Sequence, residues 1–317
     1  MSDVKREEFW YDSRDGITKI HAVRWIPEDG KFGAVVQIVH GMTEHVLRYD
    51  EFARFLAAHG ILVVGNDHLG HGLSRREDVP FGYFCKRDAA TVVVRDVHRL
   101  KKLTQENHPG LPYIILGHSM GSFILRNYLA RYGTGINGAV IVGTGQKPVA
   151  LMNLGLFLVH LQALFVGQKH VAKLMDRMVS GQNNRHIRSA RTASDWLNSQ
   201  PEEVDGYRAD EQCGHTFTLN GFQTLFTLIK RSCGKNALKK VPKELPVLFL
   251  AGKEDPVGDF GKGVKRAYQS FLDHDMTDVS YKLYEGARHE IIREKQKDAV
   301  NKEILSFVQR ITENFIL

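Results

Sequence analysis

A lone serine stands between two glycines, Gly117-His118-Ser119-Met120-Gly121, at the end of the apolar run Tyr113 to Leu116. Downstream, Asp255 follows the run PVLFLAG and His289 follows VSYKLYEG. Together these residue types can perform one piece of chemistry. A serine hydroxyl is a poor nucleophile until a base removes its proton, and an imidazole base needs a carboxylate to fix its tautomer. The chain order Ser, Asp, His is the one expected when the serine rides a sharp strand-to-helix turn. The G-x-S-x-G spacing alone is weak, because 29 Gly and 13 Ser in 317 residues would give it by chance in roughly one chain in ten. Context strengthens it: a strand-like run precedes Ser119 and the helical pattern SFILRNYLARYG follows. The glycines would let backbones approach while the serine holds a strained conformation. Ser119 is therefore expected as nucleophile, His289 as base and Asp255 as orienting acid. Other acids fit less well. Glu254 should point away, Asp259 reads as a helix N-cap, and Asp273, Asp275 and Asp278 fall at a helix end on the opposite edge.

Acyl transfer also needs N–H donors for an oxyanion. The amide of Met120, directly after the nucleophile, is one candidate. The other is the amide of Met42, in the loop His40-Gly41-Met42 after AVVQIV, where Gly41 gives the backbone freedom beside the substrate. Fifteen histidines make any single one cheap. His118 adjoins Ser119 but neighbouring side chains diverge at such a turn, so it reads as a buried structural donor. His40, His45, His68 and His71 fall in the loops VHGMTEH and NDHLGHG, with no Cys or carboxylate set to complete a metal site.

These residues need a scaffold. Eight runs read as strands: EEFWYDS, TKIHAVRWI, AVVQIVHG, ILVVGND, YIILGHS, AVIVGTG, PVLFLAG and VSYKLYEG. The first two are joined by the hairpin turn Arg14-Asp15-Gly16. The later ones are short, continuous apolar runs of the kind buried on both faces in parallel sheets. Helical patterns alternate with them, from RYDEFARFLAAHG to KDAVNKEILSFVQRITENF. The expected fold is therefore α/β, a mostly parallel eight-stranded sheet covered by helices on both faces and opened by an antiparallel hairpin. The alternation stops between Gly145 and about Lys235. Residues 148–235 are read as a helical cap inserted into a core of residues 1–147 and 236–317, over the sheet edge where open α/β folds place ligands. His160 and His215 belong to this cap and face either substrate or solvent. Its stretch Val149–Val166 is apolar around too much of its circumference for one buried face. One surface is expected to pack on the core and another to border an acyl channel. At about 27 Å as a helix it is short for a membrane crossing. Contact with lipid surfaces through it, aided by Lys169, Lys173 and Arg177, is a further expectation.

The remaining composition is that of a soluble globular protein: 43% hydrophobic and 25% charged residues. The net charge of +7 comes from scattered lysines and arginines, and no nucleic-acid module is visible. Three cysteines, Cys85, Cys213 and Cys233, lack metal spacing and suit a reducing cytoplasm. The N-terminus has no apolar signal core.

The set HGMTEH, RYDEFARFLAAHG, NDHLGHGLS, GHSMG, GKEDPVG and GARHE resembles the α/β-hydrolase superfamily from about Glu7 to Phe315. More narrowly it is similar to the monoacylglycerol lipase and lysophospholipase group, the serine aminopeptidase S33 type. The resemblance implies triad positions for Ser119, Asp255 and His289, oxyanion positions for Met42 and Met120, a small acyl ester as substrate, and no cofactor. Three other readings stand beside it, one of them a short-chain carboxylesterase. An aminopeptidase would need cap carboxylates for a substrate ammonium, and Glu202, Glu203 and Asp205 in an acidic loop beside Pro201 are the candidates. A catalytically silent small-molecule receptor on the same fold would leave the nucleophile unused.

Overall fold

The computed structural model describes residues 4–316, apart from the side chain of Ile316. Strands β1 (Val4–Asp12) and β2 (Lys19–Pro27) pair antiparallel. Their turn closes because Gly16 takes φ 84° and the Asp15 carboxylate accepts the amides of Ile17 and Thr18 at 2.9 and 2.8 Å. The chain then alternates through β3 (Ala34–Val39), α1 (Asp50–Ala57), β4 (Ile61–Asn66), α2 (Ala89–Asn107), β5 (Tyr113–His118), α3 (Met120–Tyr132) and β6 (Gly138–Val142). Four helices follow: α4 (Val149–Val166), α5 (Lys173–Val179), α6 (Pro201–Ala209) and α7 (Leu219–Cys233). Beyond them β7 (Val247–Gly252), α8 (Lys262–Leu272), β8 (Val279–Tyr284) and α9 (Lys297–Ile316) complete the chain.

All eight strands form one sheet in the order β1-β2-β4-β3-β5-β6-β7-β8, parallel from β4 to β8. Every residue of β3, β4, β5, β6 and β7 is buried. This explains their continuous Val, Ile and Leu runs, since helices cover both faces. One apolar cluster joins α2, α3 and α7 to one face, and another joins α1 and α9 to the opposite face. The strand order reverses between β3 and β5, so the crevice at their carboxyl ends is the switch point where such sheets bind ligands. Ser119 emerges there.

Three details differ from the sequence reading. Helix α8 starts at Lys262 behind Gly261, and Asp259, at φ 51°, pairs with Arg266 at 2.8 Å and caps nothing. Glu202, Glu203 and Asp205 lie on α6, whose first turn carries Pro201, because proline at N1 starts a helix as readily as it breaks one. Helix α4 buries only Met152 and Val159, seven residues apart on one stripe. That stripe packs on α7 so closely that a Cβ on Gly155 would come within 2.8 Å of the Phe226 ring. Its remaining face points outward. By length and composition α4 is the one helix among the described residues that could cross a membrane.

The turn at Ser119 is set by close backbone approach. A Cβ built on Gly117 would overlap the Gly121 carbonyl oxygen, and one built on Gly121 would overlap that of Val39. Gly121→Ala is therefore expected to destabilise the protein by about 2–3 kcal/mol or more, as overpacking against rigid backbone does. Gly206→Ala, mid-helix with nothing within 4 Å of the new methyl, is expected to stabilise by about 0.5–1 kcal/mol. Urea unfolding of both variants checks the pair.

Candidate active site

Ser119 sits between β5 and α3 at φ 53° and ψ −119°, a conformation that costs a non-glycine residue of order 1–3 kcal/mol. The surrounding bonds hold it there. Its amide donates to Val142 O on β6 at 3.0 Å, and its carbonyl accepts from the Ser122 amide at 2.9 Å and hydroxyl at 2.6 Å. The next residue, Met120, opens α3, so its N–H is among the first four of the helix and has no intrahelical acceptor. The helix dipole favours negative charge at that end.

Asp255 and His289 come together from the loops after β7 and β8. His289 Nδ1 lies 2.9 Å from Asp255 Oδ2, and Asp255 Oδ1 accepts the Val257 amide at 2.8 Å. Both residues are essentially excluded from solvent, at 1% and 0% exposure. Burial without a counter-charge would disfavour the carboxylate; here the ring N–H and an amide supply its donors. The other ring nitrogen, Nε2, is buried with no partner. Trp196 from the inserted segment packs on the His289 ring with centroids 5.1 Å apart. Glu254 is exposed.

Ser119 and His289 share the wall of a cavity of about 340 Å³ with Gly41, Met42 and Met120. Its lining combines apolar Phe123, Val179, Leu225, Ile229 and Val257 with polar Thr43, Lys147, Asp176, Asn183 and Tyr207. No residue of α4 lines it; the apolar lining comes from α3, α5, α7 and the loop after β7, because the burying stripe of α4 is spent on α7. His215 lines this cavity, and burial pushes it down to about 3, so it is neutral. His160 is exposed and borders a separate polar cavity near Asp88.

The loop carrying Gly41 and Met42 rests on polar side chains that pattern alone does not single out. Glu44 Oε1 accepts the Gly41 amide at 2.5 Å and the Tyr49 hydroxyl at 2.9 Å. His118 Nδ1 lies 2.9 Å from Tyr49 Oη and 3.3 Å from Glu44 Oε1, and its Nε2 lies 3.3 Å from the His289 carbonyl. Burial would raise the Glu44 pKa, but the hydrogen bond and charge of His118, then Arg48, drive it far below the usual carboxylate range. Burial would lower the His118 pKa, yet its hydrogen bond to Glu44 and that carboxylate's charge raise it. Both shifts favour the charged forms, an imidazolium beside a carboxylate. A Glu four residues ahead of an Arg-Tyr pair was the available signal, but nothing in one sequence says that His118 closes the network.

Of the other histidines, His40, His68 and His71 pack together in tilted and edge-on contacts with centroids 4.0–6.2 Å apart. Burial pushes His68 to about 3 and His71 to about 4, so they pack as neutral rings. His40 Nε2 accepts the His68 amide at 3.0 Å, which ties the loop after β3 to the loop after β4. His45 stands apart and meets Asp210 and Cys213, with ligand atoms within 4.8 Å of one another. Its 2.8 Å hydrogen bond to Asp210 occupies two of those atoms, and the Arg48 charge acts on Cys213, which opposes a cation there.

This sheet order, with its insertion between β6 and β7 and a strained serine at the switch point, is that of an α/β-hydrolase, and the protein is an enzyme of the serine hydrolase class. It belongs to the family described as "Serine aminopeptidase, S33", whose model matches residues 30–296. The monoacylglycerol lipase of Mycolicibacterium smegmatis is 28% identical over 317 residues, covering 97% of this chain and 99% of that relative. The monoglyceride lipase of Rattus norvegicus is 29% identical over 271 residues, covering 85% and 79%. Among solved structures, a highly thermostable carboxyl esterase from Bacillus coagulans in complex with glycerol superposes with a TM-score of 0.89. It is 28% identical, and the match covers 97% of this chain and 99% of that one.

The Glu44–His118 pair gives a pH signature. Glu44, with its pKa lowered from 4.5, contributes stability above that pH and loses it as pH falls. His118, with its pKa raised from 6.5, contributes stability below that pH and loses it as pH rises through the folded value. Glu44→Gln is therefore expected to cost most stability between pH 4.5 and 6.5 and progressively less toward pH 9. Urea midpoints of both proteins across that range test it.

Proposed function

We propose that the protein hydrolyses carboxylic esters of monoacyl lipids, monoacylglycerols or lysophospholipids, through an acyl-enzyme on Ser119. One observation carries the mechanism. His289 gives Nδ1 to Asp255 and keeps a buried, unpartnered Nε2 in the cavity wall that it shares with Ser119. With Asp255 accepting the Nδ1 proton, Nε2 holds a lone pair and takes the serine proton as Oγ attacks the ester carbon. The carbonyl electrons move onto oxygen, where the Met42 and Met120 amides donate. The imidazolium then returns the proton to the departing alkoxide. Water next attacks the acyl-serine, with His289 again as base, which releases the acid and restores Ser119.

The names of the relatives support esters over peptides, and the cap acids support the same choice. Glu203 pairs with Arg293 at 2.5 Å and Asp205 with Arg191 at 3.0 Å, and neither borders the cavity. Ser119→Ala is expected to abolish ester turnover with the fold intact, and Asp255→Asn to lower kcat by about 10⁴-fold. An Asn variant within about tenfold of wild type would require a different acid.

The apolar part of the lining suits one acyl chain, with its polar groups left for a small alcohol. Each added methylene then gains up to about 0.8 kcal/mol until the wall is covered, so medium and long monoesters should exceed acetyl esters in kcat/KM. A flat series, or a maximum at acetate, would leave a short-chain esterase.

In this reading the enzyme works in the cytoplasm and meets its substrate at lipid surfaces through the cap. Leu164 and Phe165, each 81% exposed, share the outer side of α4 with Leu154 and Phe157, and Lys169, Lys173 and Arg177 follow in the chain. Replacing Leu164 and Phe165 with serine should reduce partition onto anionic vesicles by about tenfold or more, while kcat on a dispersed short-chain ester stays unchanged. Equal sedimentation with vesicles would reject the surface.

A further inference from the structure

We infer that Glu294 and Arg288 are positioning residues that hold His289 in register by locking its loop to the cap segment 195–200. The inference rests on the proposed role of His289 as base. Its starting point is a buried carboxylate outside the triad. Glu294, at 0% exposure, accepts from the Arg288 amide at 3.0 Å and the Ser199 amide at 2.7 Å through Oε1. Through Oε2 it accepts the Ser199 hydroxyl at 2.5 Å and the Lys295 amide at 3.3 Å. A desolvated carboxylate is tolerated only with donors such as these. Here they come from both sides of one joint, the His289 loop and the cap.

The residues flanking His289 make the same crossing. Arg288 Nη1 donates to the carbonyls of Asp195 at 2.7 Å and Asn198 at 2.9 Å, and the Glu290 amide donates to Leu197 O at 2.8 Å. His289 is thus strapped one residue before and one residue after, while Trp196 on the same strap packs on its ring. Rotating the loop to misplace Nε2 would break bonds to three strap carbonyls or strand the Glu294 charge in a dry site. This part of the cap therefore belongs to the catalytic frame.

The consequence is read in kcat rather than in substrate affinity, because neither side chain borders the cavity. Misplacing a catalytic group by about 1 Å costs on the order of 100-fold. Arg288→Met and Glu294→Ala should each lower kcat for a soluble monoester by about 10- to 100-fold. These measurements are made well below each variant's melting temperature, where KM should stay within about threefold. Glu294→Gln, whose amide oxygen still accepts the Arg288 and Ser199 amides, should recover most of that loss. A purely structural joint would lower the melting temperature and leave kcat of the folded protein alone. The inference is overturned if kcat of Arg288→Met, or of folded Glu294→Ala, stays within about twofold of wild type, or if the loss sits in KM. Should Glu294→Ala not fold, Arg288→Met decides. His289→Ala separates the two levels: residual turnover there would sink the site assignment itself, whereas its inactivity beside a wild-type Arg288→Met sinks only the positioning role.

Discussion

At the carboxyl edge of the sheet three pieces of backbone meet with no room for a side chain between them. Gly121, in the first turn of α3, lies against the Val39 carbonyl at the end of β3, and Gly117 lies against Gly121. That approach forces Ser119 into a left-handed conformation and anchors its amide to β6. It also brings the loop after β3 beside the serine, where a Cβ on Gly41 would sit 3.1 Å from the Ser119 Cβ. Ser119, the N-terminus of α3 and the loop carrying Met42 are therefore set by backbone packing, which resists displacement.

Beneath this junction the protein buries charge. Glu44, His118, Arg48 and Glu290 are nearly solvent-free, and each of these side chains meets an opposite charge: Arg48 pairs with Glu44 and Glu290, and His118 with Glu44. Buried pairs of this kind seldom add net stability over apolar packing, but leaving one member alone is costly. Their value here is geometric. Glu44 grips the Gly41 amide, His118 bridges to the carbonyl of His289, and a single network spans two of the loops that face the cavity.

The segment inserted between β6 and β7 is built from two unlike halves. Helix α7 is fastened to α3 by Arg126, which donates to Gly145 O and Ser232 O at 2.9 Å, and by Asn127, which donates to Leu228 O at 2.9 Å. Segment 195–200 is fastened to the loop of His289. Helices α4 and α5 instead turn Leu154, Phe157, Leu164, Phe165 and Met178 outward, an apolar surface larger than isolated exposed residues explain. Under the proposed function, rigid support near Ser119 and His289 and an apolar exterior away from them suit a substrate that arrives from a lipid phase.

Sequence alone determined the sheet, because its buried parallel strands are unbroken apolar runs and its turns carry Gly and Asp at fixed places. It also picked out Ser119, Asp255 and His289 as a chain-ordered set, since each ends a recognisable run. Local pattern failed where a role depends on distant partners. Asp259 looked like a cap but pairs with Arg266. The apolar excess of α4 looked like a channel wall, but its inward stripe is taken by α7. Trp196, Arg288 and Glu294 carried no periodic signal, because the contacts that join cap to loop reach residues between 90 and 95 positions away. Period and turn chemistry act over a few residues and are written in the chain. The registration of one loop against another is an outcome of tertiary packing, and only the folded molecule decides it.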